Sequence, residues 1–229
     1  MGRRDDHDRR IAEMFDRVSP RYDRLNRVLS FGTDRAWRRR AIELARLAAG
    51  ERAVDVGAGT GDLTFALARA SAPGARVVAA DLSRGMLDVA QRRGPLLAVI
   101  ASAEALPFPD GSLDRVITGF TVRNVGDLPR ALREFRRVLR PGGRAVILEL
   151  SHPRGPLFPS LYRFYFDRVA PRIAVVLGGD PEAYRYLPRS LRPFPKPDRL
   201  AQLLRDAGFA RVRFERLTLG IAAIHIADV

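Results

Sequence analysis

A short apolar strand that runs directly into three alternating glycines constrains this chain more than any other feature. Residues 53–64 read AVDVGAGTGDLT. Ala53, Val54 and Val56 have the character of a strand buried on both faces, interrupted only by Asp55. Gly57, Gly59 and Gly61 let the backbone turn sharply and approach a ligand closely. The helix that opens behind them offers free amide hydrogens. Further on, a second apolar strand, Val77 to Ala80, ends at Asp81. Strand, glycine turn, helix, strand and acid in that order are the opening unit of a parallel sheet that binds a nucleoside-containing ligand, with Asp81 placed to accept both ribose hydroxyls.

The rest of the pattern extends that unit. Strands are expected near 52–56, 75–80, 96–101, 114–119 and 143–150, with helices near 61–70, 84–93 and 127–140. A helix near 197–207, a turn at Gly208 and strands near 210–217 and 221–227 read as an antiparallel hairpin closing the sheet. Residues 1–50 read as a helical arm. Ile11, Met14, Phe15 and Val18 fall at helical spacing, and Ser19-Pro20 breaks the run. Asp34 is expected to cap a second helix carrying Trp37, Ala41, Leu44 and Leu47, with Gly50 just past its end. The unit 51–229 then forms the main domain. Within it, residues 153–195 crowd aromatics, prolines and arginines, and read as a substrate-side cap.

The spacing of the glycines bears on the ligand. A dinucleotide turn reads G-x-G-x-x-G and holds a pyrophosphate on the helix. Here the spacing is G-x-G-x-G, with Thr60 inside it and Asp62 immediately after. Carboxylates at Asp55 and Asp62 would repel a pyrophosphate and suit a ligand with an amino group and a sulfonium, as in S-adenosylmethionine. A dinucleotide and an empty structural turn are the competing readings. Ser102 and Ala103, in SAEALPFPDGSLD, follow the third strand. Alone they read as a proline-broken loop. Beside the glycine turn they are where a hydroxyl and a backbone amide would meet the adenine.

Composition excludes several classes. The 229 residues contain no cysteine, so disulfides, thiolate metal sites and cysteine nucleophiles are ruled out. The histidines His7, His152 and His225 lack ligand spacing, and no metal is expected. No apolar run approaches the roughly 20 residues a spanning helix needs. The start, MGRRDDHDRR, has no apolar core of a signal peptide, so a cytoplasmic location is expected. The net charge is +14, and Lys196 is the single lysine among 40 basic residues. Such a charge suits either a polyanionic partner or a coding preference for arginine. Nucleic acid is the weaker partner. Cytosine C5 methylation needs a cysteine, and the end of the fourth strand, Thr118-Gly119-Phe120-Thr121, lacks the Pro-Pro-aromatic turn common in amino-group enzymes. An anionic membrane surface, touched transiently by Arg154, Arg163, Arg168 and Arg172, is the stronger one.

Several stretches are similar to one known family, the ubiquinone/menaquinone biosynthesis C-methyltransferases. Residues 15–39, FDRVSPRYDRLNRVLSFGTDRAWRR, resemble its first signature, and residues 120–151, FTVRNVGDLPRALREFRRVLRPGGRAVILELS, its second. GGDPEAYRYLPRSLRPFP (178–195) and GIAAIH (220–225) resemble its C-terminal stretches. The compact start resembles the demethylmenaquinone enzymes more than the dual-substrate ones. The resemblance implies a class I S-adenosylmethionine-dependent methyltransferase fold: a Rossmann-like α/β fold with a seven-stranded, mostly parallel sheet. It implies methyl transfer to a ring carbon of a polyprenylated quinol; a cytoplasmic location, peripheral at the inner face of the cell membrane, is the expectation that the missing signal peptide and the arginines give. The family's donor contacts fall on Thr60, Asp81 and the pair Ser102-Ala103. A fourth position, sometimes serine, is Gly119 here, so a side-chain contact is lost. A family histidine is Asp34, a glycine is Thr121 and a phenylalanine is Leu150. Asp34 puts a polar contact on the substrate side in doubt.

For the chemistry, the resemblance points to Tyr22, Arg123 and Asn124 beside the quinol. Arginine is a poor base because its pKa exceeds ~12, so Arg123 is expected to stabilise the quinolate or orient a water. Tyr22 and Asn124 would hydrogen-bond the ring oxygens. Asp23, Asp34 and His225 are candidate proton acceptors, although His225, in a terminal strand, reads first as structural. A nucleic-acid enzyme, a methyltransferase for another lipid or phenol, and a non-catalytic binding module are the alternatives. The sequence allows a homodimer without specifying one.

Overall fold

The structure is a computed structural model, describing residues 2–19, 28, 30–156, 160, 162, 164–170, 172–173, 186 and 189–229. Tyr22 and Asp23 lie outside the described residues, as does much of the expected cap 153–195.

The chain begins with helix α1 (Gly2–Val18), several residues earlier than the apolar spacing marks, because its first two turns are almost wholly polar. Met14 and Val18 are buried, with Ile11 and Phe15 half-buried beside them. Helix α2 is Thr33–Ala45. Asp34 is not its cap. Gly32, at φ +72°, turns the chain into the helix, and Asp34 sits in the first turn, where a carboxylate complements the helix dipole. Its Oδ1 accepts from the Ser30 hydroxyl at 2.9 Å. Trp37, Ala41 and Leu44 are buried as expected. The helix ends before Leu47, which is itself buried.

The sheet follows with strands β1 (Arg52–Val56), β2 (Arg76–Asp81), β3 (Leu97–Ile100), β4 (Leu113–Gly119), β5 (Leu139–Leu150), β6 (Arg211–Leu217) and β7 (Ala222–Asp228). Between them lie α3 (Asp62–Ala70), α4 (Arg84–Arg93), α5 (Leu128–Val138) and α6 (Pro197–Asp206). The seven strands run in the order β3-β2-β1-β4-β5-β7-β6, and β7 is antiparallel to both its neighbours. Strand β5 starts earlier than the expected 143. Leu139 already pairs with Leu113, and the register shifts before Arg144 meets Arg115. Pro141-Gly142-Gly143 is thus an irregularity inside the strand, although its turn chemistry reads as the strand's boundary.

Crossovers β1–α3–β2 and β4–α5–β5 travel in opposite directions from the sheet's centre, so right-handed connections put their helices on opposite faces. Between these layers, Val54, Val116, Ile117, Val146, Ile147 and Leu148 pack with Leu67, Leu132, Phe135 and Leu200, all essentially inaccessible. The strand order reverses between β1 and β4. In such sheets the crevice at the carboxyl ends of the two diverging strands is the ligand site.

Candidate donor and acceptor site

A cavity enclosing about 850 Å³, including its solvent-filled mouth, occupies that crevice. Its floor is the turn after β1. Register pairs Val56 with Ala80, so Gly57 starts beside the end of β2. The Ala80 carbonyl accepts from Gly57 N at 2.7 Å and Ala58 N at 3.1 Å. Gly57, at φ +70°, has no room for a side chain, since a Cβ would lie 2.1 Å from Thr121 Oγ1. Gly59, at φ +57°, has nothing within 4 Å of its Cβ position, so the backbone there is open to a ligand. Gly61 turns the chain into α3. Thr60 is buried and lines the cavity.

Asp81 ends β2 at the cavity wall. Its Oδ2 accepts from Gly59 N at 2.7 Å and its Oδ1 from Ser83 N at 2.8 Å. Burial raises its pKa, those two amides oppose the rise, and the Asp16 charge adds to it. A carboxylate held by two amides, with remaining lone pairs toward the cavity, suits a pair of vicinal hydroxyls. Asp55 lies beneath the turn. Its Oδ2 accepts from Thr64 Oγ1 at 2.6 Å, while its Oδ1 is buried without a partner. Burial pushes its pKa up to about 7, opposed by the Thr64 hydroxyl and the Arg38 charge. Asp62 differs from the sequence expectation. Arg93 neutralises it at 2.5 Å and also donates to the Thr60 carbonyl at 2.8 Å. With Asp62 neutralised, the acidity beside the turn is left to Asp81 on the cavity wall and Asp55 buried below it, with Asp8 across the cavity.

The arm completes the enclosure. Asp8, Ile11, Ala12 and Phe15 of α1 line the cavity from above. Arg38 of α2 enters from the side. Its guanidinium lies 5.2 Å from the centre of the Phe120 ring and 3.7 Å from Asp34, and its Nε is buried without a hydrogen bond. Among the described lining residues it is the single cation. Sequence reasoning misses Arg38 and Asp8, because neither stands in a local pattern that marks a ligand.

Ser102, Ala103, Gly119 and Asn124 all line the same cavity. Phe120 follows β4 at φ +63°, and a short helical turn, Val122–Asn124, comes next. Asn124 is buried, with Oδ1 unpartnered. Arg123 points away from the lining. It forms an ion pair with Glu149 at 2.6 Å, both side chains nearly inaccessible, and donates to the Phe120 carbonyl at 2.7 Å. Its charge opposes the burial that raises the Tyr162 and Tyr186 phenols. Of the candidate proton acceptors, Asp34 is engaged by Ser30 and Arg38. His225 is buried on β7, bonded through Nε2 to the Pro197 carbonyl at 2.9 Å and lowered by burial to about 4. It does not line the cavity.

A cavity with one arginine at its side, a ribose-type acid on its wall and a buried, unpartnered carboxylate oxygen beneath its floor fits a zwitterionic amino acid joined to a nucleoside. The fold and site are those of a class I S-adenosylmethionine-dependent methyltransferase. Solved structures of that fold are similar along nearly the whole chain. A possible histamine N-methyltransferase from Thermotoga maritima has a TM-score of 0.69 at 21% identity, covering 95% of this chain and 98% of that one. The [4+2]-cyclase SpnF has a TM-score of 0.69 at 20% identity, covering 96% of each.

The chain belongs to the ubiE/COQ5 methyltransferase family, whose pattern it matches over residues 3–228. The demethylmenaquinone methyltransferase of Thermus thermophilus is 48% identical over 94% of this chain and 99% of its own length. That of Deinococcus radiodurans is 43% identical over 100% and 96%. The ubiquinone/menaquinone biosynthesis C-methyltransferase of Geobacter sulfurreducens is 43% identical over 96% and 88%.

Proposed function

We propose that this methyltransferase transfers the methyl group of S-adenosylmethionine to a ring carbon of a polyprenylated demethylmenaquinol, giving menaquinol. The observation that carries the reading is the end-to-end match to enzymes named for that substrate. In it, the donor's ribose rests on Asp81, its adenine on Ser102-Ala103, and its carboxylate on Arg38. Its ammonium lies above Asp55. The donor supplies an electrophilic methyl on a sulfonium. The C–S bond breaks as the new C–C bond forms, leaving S-adenosylhomocysteine, and the ring carbon's proton passes by way of water to the ring oxygen that had been ionised, which restores the quinol.

On the acceptor side, Asn124 Oδ1 takes a hydrogen bond from one quinol hydroxyl. The Arg123 charge, fixed by Glu149, favours the quinolate and keeps the Phe120 turn in place. Tyr22 hydrogen-bonds the second ring oxygen. Burial matters here, because a fixed positive charge acts more strongly on a forming anion where water is excluded.

Among the described residues no helix is long and apolar enough to cross a membrane. The tail is met at the surface instead. Phe31 is 78% exposed with its ring 5.6 Å from Tyr165, next to Phe164 at 58%. Arg168 and Arg172, on the same stretch and exposed, meet anionic headgroups. Flotation with phosphatidylglycerol vesicles should show association at low salt that disappears at high salt, and no association at low salt would remove the membrane from the reading.

The deciding assay supplies labelled donor with reduced demethylmenaquinone and, in parallel, a demethoxyubiquinol precursor. Label on the menaquinol alone is expected. Label only on the second acceptor would transfer the assignment to the ubiquinone branch. Arg123→Ala should abolish transfer while donor affinity stays near wild type. That variant also strands Glu149, which costs about 3–5 kcal/mol for a buried pair. The paired variant R123M/E149Q avoids this and should fold, bind donor and remain inactive.

A further inference from the structure

Helix α1 turns one carboxylate toward the cavity from an otherwise apolar face. Asp8, Ile11, Ala12 and Phe15 recur at the spacing that puts them on one side of a helix, and all four line the cavity. Ile11, Ala12 and Phe15 suit a flat aromatic ligand. Asp8 does not, unless the ligand brings a hydrogen-bond donor to it.

Asp8 stands at a defined point. Its Oδ2 accepts from the Ser102 hydroxyl at 2.9 Å. Ser102 Oγ accepts in turn from Glu104 N at 3.2 Å, which leaves that hydroxyl little capacity for a further ligand donor. Among the described residues Asp8 has no other hydrogen bond and no cationic partner. A carboxylate offers about four acceptor positions, so most of its capacity faces the space above Ser102-Ala103.

The helix that carries it is fixed at both ends of the cavity. Near its start, His7 Nε2 lies 2.9 Å from the Asn124 carbonyl. Near its end, Asp16 Oδ1 accepts from the Ser83 hydroxyl and from Gly85 N at 2.9 Å. The Asp8 position is therefore set by the sheet's own loops.

We infer that Asp8 reads the exocyclic amine of the donor's adenine, which makes α1 a base-recognition element of the donor site. The inference rests on the reading that this cavity holds S-adenosylmethionine. An amine N–H donated to a carboxylate is a charge-assisted bond, and its loss costs about tenfold or more in affinity.

The test is a cycle between ligand and protein, read by calorimetry on the full chain. The ligands are S-adenosylhomocysteine and its 6-deamino analogue, in which purine replaces adenine and only the amine is lost. Wild-type protein should prefer the adenine form by roughly tenfold or more. Asp8→Ala should reduce that preference to within about twofold, by weakening the adenine form while leaving the purine form near its wild-type affinity. Asp8→Asn keeps an acceptor and the side chain's shape, and should retain an intermediate preference. Should the helix loosen in either variant, both ligands would weaken together with the preference intact, and that outcome overturns the role of Asp8. A preference unchanged in Asp8→Ala overturns it also. If wild-type protein binds neither ligand, the donor reading itself fails, which the cycle distinguishes from failure of Asp8 alone.

Discussion

The floor and the roof of the donor cavity are built by different means. The floor is backbone: Gly57, Gly59 and Gly61, amides held by the Ala80 carbonyl, and one acid fixed by two amides, those of Gly59 and Ser83. Its parts sit within 27 residues of one another along the chain, from Gly57 to Ser83, and the register of β1 on β2 places them. The roof is side chains of α1, joined to the sheet's loops through His7, Asp8 and Asp16. Those bonds span 67 to 117 positions of sequence. A floor of this kind exists once two strands pair, whereas a roof of this kind exists only when the whole chain has folded. The floor should therefore carry most of the affinity, and the roof should tune it.

Breaking the floor should give the largest effect. On the proposed donor pose, Asp81→Ala removes two ribose hydrogen bonds to a carboxylate, each worth about 1.5–3 kcal/mol. Affinity for S-adenosylhomocysteine should fall at least ~100-fold by calorimetry. A loss as small as that of a roof variant would erase the distinction.

The side wall comes next. Arg38→Met keeps the contact with Phe120 and removes the cation. Binding of S-adenosylhomocysteine should weaken roughly 10- to 100-fold, the worth of a charge-assisted pair. Binding of 5′-methylthioadenosine, which has no carboxylate, should stay within about twofold. Equal losses for both ligands would mean that Arg38 acts by packing alone.

Loosening the roof should matter less. Asp16→Ala deletes the bonds to Ser83 and Gly85. It should weaken donor binding by only about 3- to 10-fold, because only part of the roughly 1 kcal/mol carried by each lost bond is felt at the donor. Amide exchange should quicken in α1 and stay slow in β1 and β4. Exchange that quickens equally in the strands would show that roof and floor are one cooperative unit.

The last test reads stability rather than affinity, as a pH slope. The Asp55 carboxyl titrates at about 7 in the folded chain against an ordinary 3.8. Between those values the native state keeps a proton that the unfolded chain has released. Stability should therefore decline as pH rises through that interval and level off above it. Asp55→Asn should flatten this part of a Tm-against-pH curve. A wild-type curve no steeper than the variant's would place the Asp55 titration elsewhere.

The contrast between floor and roof also explains how much of the fold and of the site is legible in the amino-acid sequence. The strand–glycine–helix order, Asp81 and the closing hairpin are local patterns, and the structure has each of them within a few residues. Ser102, Ala103, Gly119 and Asn124 do stand at the cavity; the place of Ser102-Ala103 after the third strand already points to them, whereas Gly119 and Asn124 come from the family resemblance. Arg38 and Asp8 escape because the first of three consecutive arginines after a tryptophan, or one of several aspartates in a polar helix, reads as a solvated face. Asp34 misleads because a capping residue type follows a glycine that already makes the turn. The start of β5 misleads because Pro-Gly-Gly marks a turn more often than an irregular strand. Asp62 reads as facing the ligand because Arg93, 31 residues away, is not visible as its partner in sequence.

The seat of Thr121 against Gly57 has a mechanical consequence. The missing Cβ at Gly57 is the space that Thr121 fills, and Thr121 is the residue from which the Val122–Asn124 turn departs. On the proposed reading, donor cradle and acceptor loop thus share one reference point, a threonine side chain seated on bare backbone. The gap across which a methyl group must travel is gauged by two strands lying in register, and a change of side-chain rotamer elsewhere leaves that gauge untouched.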